Sequence, residues 1–141
     1  MTQTQPETRF FMRTYDETLG LLNAAREYFT FAYPAAERAL PEAARMRVSC
    51  ESMRITARLS QVMAWLLAQR AAFAGEISRV EAASEKFSLG APDVCLLDTD
   101  ETLSGLPERL RDLLARSRQL YIRVARLDEM NRRAVSGALP V

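Results

Sequence analysis

Apolar residues recur at alternating spacings of three and four along three separate segments of this chain. The third segment shows the pattern most clearly, at Leu106, Leu110, Leu113, Ser117, Leu120, Val124 and Leu127. Because an α-helix turns once every 3.6 residues, this spacing places the apolar side chains along one helix face. No segment competes with it as a strand candidate. The sequence therefore predicts an all-α fold.

The first predicted helix covers residues 5–32. Thr4 and Glu7 have the spacing of a capping box, and Pro6 is tolerated in a first helical turn. The apolar face is then formed by Phe11, Tyr15, Leu19, Leu22, Ala25 and Phe29. Pro34 disfavours helical geometry at Tyr33, so we expect the helix to end there. Residues 34–40 are predicted to be a connector, with one helical turn in it as the alternative.

The second predicted helix is the longest and covers residues 41–87. Pro41 and Glu42 suit the start of a helix. The apolar stripe is Val48, Ser52, Ile55, Leu59, Val62, Leu66, Gln69 and Phe73, and it continues in nearly the same phase to Phe87. Gly75 costs about 1 kcal/mol relative to Ala inside a helix. The continuous stripe predicts that the helix persists, with a kink at Gly75 as the alternative.

Residues 88–105 interrupt the periodicity and separate the second helix from the third. Gly90, Pro92 and Gly105 punctuate this segment, and all of its charged residues are acidic. We expect an acidic surface loop in which residues 94–97 pack back onto the helices. The third helix is predicted over 106–134. Together the three helices predict one domain, residues 1–141, folded as an antiparallel three-helix bundle.

Composition excludes several classes of function. The 19 basic and 18 acidic residues leave a net charge of +1, without the positive excess of a general nucleic-acid binder. The longest apolar run, Val62–Ala68, is far shorter than the roughly 20 residues of a membrane span. Since the N-terminal residues are polar and contain no targeting stretch, we expect a soluble, cytoplasmic protein.

The residues that carry out most catalysis in helical bundles are missing from the sequence. It contains no His, and its two cysteines, Cys50 and Cys95, stand far apart. Zinc, di-iron and phosphohistidine sites therefore lack their ligands. Glu51 precedes Arg54 by three residues and Arg58 by seven, which we interpret as solvated ion pairs on a helix surface. We expect no cofactor and no enzymatic activity.

The run Val62–Ala68 is apolar around the whole helix, which a helix with one buried face does not require. Met63, Trp65 and Leu67 cannot all join the core, and large exposed apolar areas usually mark interaction sites. We predict that these three residues form a homodimer interface. Two alternatives are that residues 88–105 cover this face, or that it binds a different protein.

The third helix has an excess of positive charge, with eight arginines and four acidic residues. Its outer face, represented by Arg111, Arg118 and Arg123, is a candidate docking surface for an acidic partner. The alternative is that these arginines neutralise the acidic segment of their own chain.

Several segments resemble one known family. They are Glu51–Leu59, Met63–Leu67, Gln69–Ala71, Gly75–Ile77 and Leu120–Asp128. These segments resemble the RcdA family, the regulators of CtrA degradation in alphaproteobacteria. The resemblance extends from about residue 8 to about residue 130.

The resemblance implies a dimeric three-helix bundle that acts as an adaptor in regulated proteolysis. Such adaptors help deliver the cell-cycle regulator CtrA and other substrates to the ClpXP protease. The implied partners are ClpX, CpdR and PopA. An alternative is a dimeric helical regulatory or scaffold protein that binds another signalling partner and is not linked to proteolysis.

Overall fold

The computed structural model of the chain describes residues 5–97 and 105–138. These residues are helical throughout apart from short connections, and no strand occurs among them, as the periodicity predicts. The elements are α1 (Gln5–Glu27), a π-helical turn (Tyr28–Ala32), α2 (Tyr33–Glu37), α3 (Glu42–Phe73), α4 (Arg79–Ala82), a 3-10 turn (Glu85–Phe87), α5 (Pro92–Cys95) and α6 (Glu108–Ala138). The capping residue predicted for α1, Thr4, lies outside the described residues.

The predicted end of the first helix at Tyr33 is wrong, because the chain stays helical through Pro34 to Glu37. The residues before the proline form a π-helical turn, in which the Tyr33 N–H donates to the carbonyl of Tyr28. A proline inside an α-helix presses on the carbonyl four residues before it. The wider π turn relieves that contact, so the chain stays helical past the proline.

The second helix ends at Phe73, so its predicted extension to residue 87 is also wrong. Gly75 adopts a φ of 76°, in the left-handed region. The Glu76 N–H donates to the Ala71 carbonyl at 2.9 Å, and the Gly75 N–H donates to the Ala72 carbonyl at 3.1 Å. This pair of bonds is the Schellman motif that ends many helices. The apolar periodicity continues past it only as the separate short helix α4 and the 3-10 turn.

The antiparallel arrangement is wrong for one pair of long helices, since α3 and α6 run parallel. Arg58 bonds Leu114 and Trp65 bonds Asp128, so residue numbers rise together along the two helices. By contrast, α1 is antiparallel to α3, because Phe11 near its start contacts Phe73 with ring centroids 5.8 Å apart. Short loops make successive helices antiparallel, but residues 74–107 are long enough to return to the start of the helices. The described part of this segment, residues 74–97 and 105–107, is here called the crossover.

Buried side chains from α1, α3 and α6 form one hydrophobic cluster, with further contributions from the crossover. On α3 the predicted stripe residues Val48, Ile55, Leu59, Val62 and Leu66 are all buried. The stripe predicted for α1 is partly wrong, because Leu19 is exposed while Thr14, Thr18 and Leu21 are buried. The Thr18 hydroxyl donates to the Thr14 carbonyl at 2.7 Å. This bond inside the helix lets a polar residue occupy the core.

Candidate protein-binding surfaces

A second stripe runs along α3 on the side opposite the core. It consists of Met46, Cys50, Met53, Ala57, Ser60, Ala64 and Leu67, at alternating spacings of four and three, and we call it the α3 outer face. The exposed fractions of Met46, Met53 and Leu67 are 67%, 72% and 51%. None of the seven residues is charged, and three consecutive members, Ala57, Ser60 and Ala64, are small. A long, uncharged, partly apolar helix face is typical of a surface that contacts another protein.

Of the three residues predicted for the dimer interface, the structure leaves two at the surface. Leu67 lies on the α3 outer face, and Met63 is half-buried beside it. Trp65 is only 6% exposed within the single chain, so little of its side chain is available to a second subunit, and its place at a subunit interface stays a prediction. Its indole N–H donates to the Asp128 carboxylate at 3.0 Å. Because α6 supplies this acceptor, the tryptophan packs between α3 and α6 with its polar atom bonded.

Asp128 joins Trp65 to the crossover. Besides the indole, its carboxylate accepts a long bond of 3.5 Å from the Leu89 N–H and pairs with Arg132 at 3.3 Å. Arg132 in turn donates to the Ser84 carbonyl at 3.2 Å. One buried carboxylate therefore connects α3, α6 and the crossover.

Arg58 is buried, which contradicts its interpretation as a solvated surface residue. Its guanidinium donates to the carbonyls of Cys95, Leu97 and Leu114 at 2.8, 3.1 and 2.9 Å, and to the Ser117 hydroxyl at 3.1 Å. Burial, reinforced by neighbouring arginines, lowers the pKa of Arg58 to about 10. The side chain is therefore still charged at neutral pH. We call these four bonds the Arg58 clamp, since they attach the end of α5 to α3 and α6.

Glu51 is the second charged residue that the sequence misplaced. It is buried, and its carboxylate pairs with Arg47 at 3.1 Å and with Arg54 at 3.7 Å. The i, i+4 and i, i+3 spacings predict such pairs but do not reveal whether they face solvent. Here the chain covers the Glu51 carboxylate and most of Arg54, while Arg47 is partly exposed.

Further side chains attach the crossover by bonds to its backbone. The Gly90 N–H donates to the Gln61 side chain at 2.8 Å, and the Tyr121 hydroxyl donates to the Gly90 carbonyl at 2.8 Å. Burial, with Cys95 nearby, raises the pKa of Tyr121 to about 12, so the phenol is protonated and can donate. Ala91 has a φ of 54°, an uncommon conformation for a residue with a Cβ. These contacts hold a strained turn against the helices.

Residues 94–97 pack back onto the helices only in part. Cys95 is fully buried, whereas Val94, Leu96 and Leu97 are exposed. The Cys95 side chain belongs to the hydrophobic cluster, and its carbonyl accepts a bond of the Arg58 clamp. The prediction that this whole apolar patch is covered is therefore wrong for three of its four residues.

The three arginines proposed as a docking face on α6 do not form one free surface. Arg118 donates to the Leu96 carbonyl at 3.1 Å, and Arg123 pairs with Glu17 of α1. Arg111 is exposed. Two of the three side chains thus stabilise contacts within the chain, and Arg111 is the member best placed to meet a partner.

Within 5–97 and 105–138, no three His, Cys, Asp or Glu side chains stand close enough together to hold a metal ion. No helix in these ranges combines the length and apolar character of a bilayer span.

Comparison with known proteins decides the family. The chain shares 35% sequence identity with RcdA from Caulobacter crescentus CB15. Its fold matches the crystal structure of that protein with a TM-score of 0.69. The match covers 86% of this chain and 89% of that chain. The chain belongs to the RcdA family.

A second comparison agrees with this assignment. The family model described as "Protein of unknown function (DUF1465)" matches residues 2–140. No curated protein matches the chain. Membership of the RcdA family therefore rests on likeness along nearly the whole chain, as the resemblance in α3 and α6 predicted.

Proposed function

We propose that this RcdA-family chain is a non-catalytic adaptor that binds proteins and helps deliver substrates such as CtrA to the ClpXP protease. The observation that carries the proposal is the 35% identity with RcdA over 86% of the chain. The family resemblance supplies ClpX, CpdR and PopA as partners. No reaction is assigned to the chain, whose sequence contains no His.

We further propose that the adaptor is a homodimer formed through the α3 outer face. A two-fold axis beside Ser60 would place Met53 of one copy opposite Leu67 of the other, because both lie seven residues from Ser60. Such a contact is self-complementary, as a symmetric dimer requires. The small residues Ala57, Ser60 and Ala64 would let the two helices approach to about 8 Å.

Reconstituted degradation tests the proposed function. Purified ClpXP and CpdR from the same organism are mixed with CtrA, and loss of CtrA is followed with and without this chain. We expect the chain to accelerate CtrA degradation. A ClpXP substrate that needs no adaptor serves as the control, and its degradation should be unchanged.

An unchanged rate of CtrA loss would contradict delivery, both with CpdR alone and with CpdR and PopA together. The chain would then be a dimeric regulatory or scaffold protein with a different signalling partner. The oligomeric state is measured separately, so that a failed delivery assay does not decide the question of the dimer.

A further inference from the structure

An apolar groove opens at the end of the molecule where α1 begins and α3 and α6 end. Its volume is about 610 Å³. Trp65 and Leu66 line its buried part, and Phe10, Phe73 and Val80 line its more exposed parts. The groove is distinct from the α3 outer face, because its α3 residues belong to the opposite side of that helix.

The exposed lining shows that the groove is open to solvent. Phe10, Phe73 and Val80 are 42%, 48% and 50% exposed, whereas Trp65 and Leu66 are buried. These three large apolar side chains surround one groove and are about half-exposed. Exposed apolar patches of this kind mark interaction sites. Small-molecule sites bury most of their ligand. This groove is open along its exposed residues and would not enclose a small molecule in that way. An open groove between helices instead suits the apolar face of another helix.

The polar residues of the groove indicate the charge of its partner. Gln69 and Asn131 both line it and are bonded to each other at 3.3 Å. Arg79 lines it as well, and no acidic residue among the described ones does. Arg9 and Arg70, which adjoin the lining residues Phe10 and Gln69 in sequence, are exposed. Glu81, between the lining residues Val80 and Ala82, is exposed as well, so two arginines and one carboxylate adjoin the lining. The lining itself offers a basic partner no carboxylate, whereas an acidic partner would meet Arg79 there.

We propose that this groove binds an amphipathic helix of a partner protein, with acidic residues beside its apolar face. Bulky apolar residues at positions i, i+3 or i+4, and i+7 would enter the groove. The acidic residues would lie towards Arg9, Arg70 and Arg79. The proposal deepens the adaptor function and rests on it, since it gives the chain a binding surface separate from its dimer face.

Binding of synthetic helical peptides tests the proposal. The first probe is a fluorescein-labelled peptide of about 16 residues, long enough to form a helix, with Leu on one face and Glu beside it. The second probe has Lys in place of each Glu. We expect the Glu peptide to bind at least about ten-fold more tightly, with an affinity that falls as salt is added. Trp65, the only tryptophan, reports binding in the groove through its emission.

Two matched variants locate the binding site. Val80→Glu places a charge in the groove, and Val94→Glu makes the same change at a site 44% exposed outside it. We expect Val80→Glu to weaken binding of the Glu peptide by about ten-fold or more. Binding by Val94→Glu should stay within about two-fold of the original chain. Circular dichroism of both variants checks that the helices remain folded.

Several results would overturn the groove proposal without touching the delivery assay. The first is that the Glu peptide does not bind, and the second is that the Lys peptide binds as tightly as the Glu peptide. The third is that Val80→Glu and Val94→Glu change the affinity equally. Dodecanoate that binds and displaces the Glu peptide would assign the groove to a lipid instead. Val80→Glu that converts a dimer into a monomer in light scattering would assign it to a second copy of the chain.

Discussion

Arg58 shows at the scale of one residue how a charged side chain becomes part of a core. Its four hydrogen bonds go to three carbonyls and a hydroxyl on α5, the segment after it, and α6. No carboxylate is among these acceptors. The four hydrogen bonds offset the cost of burying the guanidinium. Removing the side chain would leave those acceptors without a donor.

We expect Arg58→Met to lower the free energy of unfolding by about 3 kcal/mol, because two buried carbonyls and one part-buried carbonyl lose a charged donor. Urea unfolding followed by circular dichroism measures the change. The control is Arg111→Met, a change at an exposed position of the same structure, which should stay within about 0.5 kcal/mol of the original. Equal losses in the two variants would contradict the role of the Arg58 clamp.

At the scale of the element, one backbone conformation determines where α3 ends. Gly75 is the only glycine of the described residues with a positive φ, and it forms the Schellman motif after Phe73. An apolar stripe continues beyond it, so periodicity alone favours a longer helix. The left-handed turn at Gly75 instead directs the chain into the crossover, beginning with α4. The crossover lets α6 start near the start of α3.

Replacing Gly75 by Ala should destabilise the protein by about 1–2 kcal/mol, the cost of a left-handed conformation for a residue with a Cβ. The added methyl group would meet no atom within 4 Å, so the cost is conformational. Gly20→Ala offers a matched control inside α1, where the methyl group also meets nothing. That change should stabilise the protein by about 0.5–1 kcal/mol. Thermal unfolding measures both; a stabilising Gly75→Ala would refute the role assigned to the turn.

The parallel pairing of α3 and α6 shapes the whole molecule. With α1 antiparallel to both α3 and α6, α1 and α6 cover one side of α3, and the crossover covers part of another. Apart from Ala57, which packs partly against the core, the residues of the α3 outer face are exposed. Since this face is uncharged and carries two methionines and a leucine, dimerisation through it would remove apolar surface from water.

Met53→Glu should convert the proposed dimer into a monomer, because it would place a charge within an apolar contact between two copies. Multi-angle light scattering gives the mass of each form. Met130→Glu on α6 is the matched control, since Met130 is 65% exposed and lies off the α3 outer face. It should leave the mass unchanged. A dimer that persists in Met53→Glu would mean that copies associate elsewhere, and a monomeric original chain would end the dimer proposal.

The sequence by itself determined the helical class, the core stripe of α3 and the likeness to the RcdA family, since all three depend on residue order along single helices. It did not determine that α3 ends at Phe73, that Trp65 and Arg58 are buried, or that α3 and α6 are parallel. Periodicity shows which side of a helix is apolar, but it does not show which neighbour covers that side. Trp65 and Arg58 are buried because distant residues, Asp128 on α6 and the carbonyls of Cys95, Leu97 and Leu114, accept their hydrogen bonds. Only the path of the crossover brings those acceptors into place.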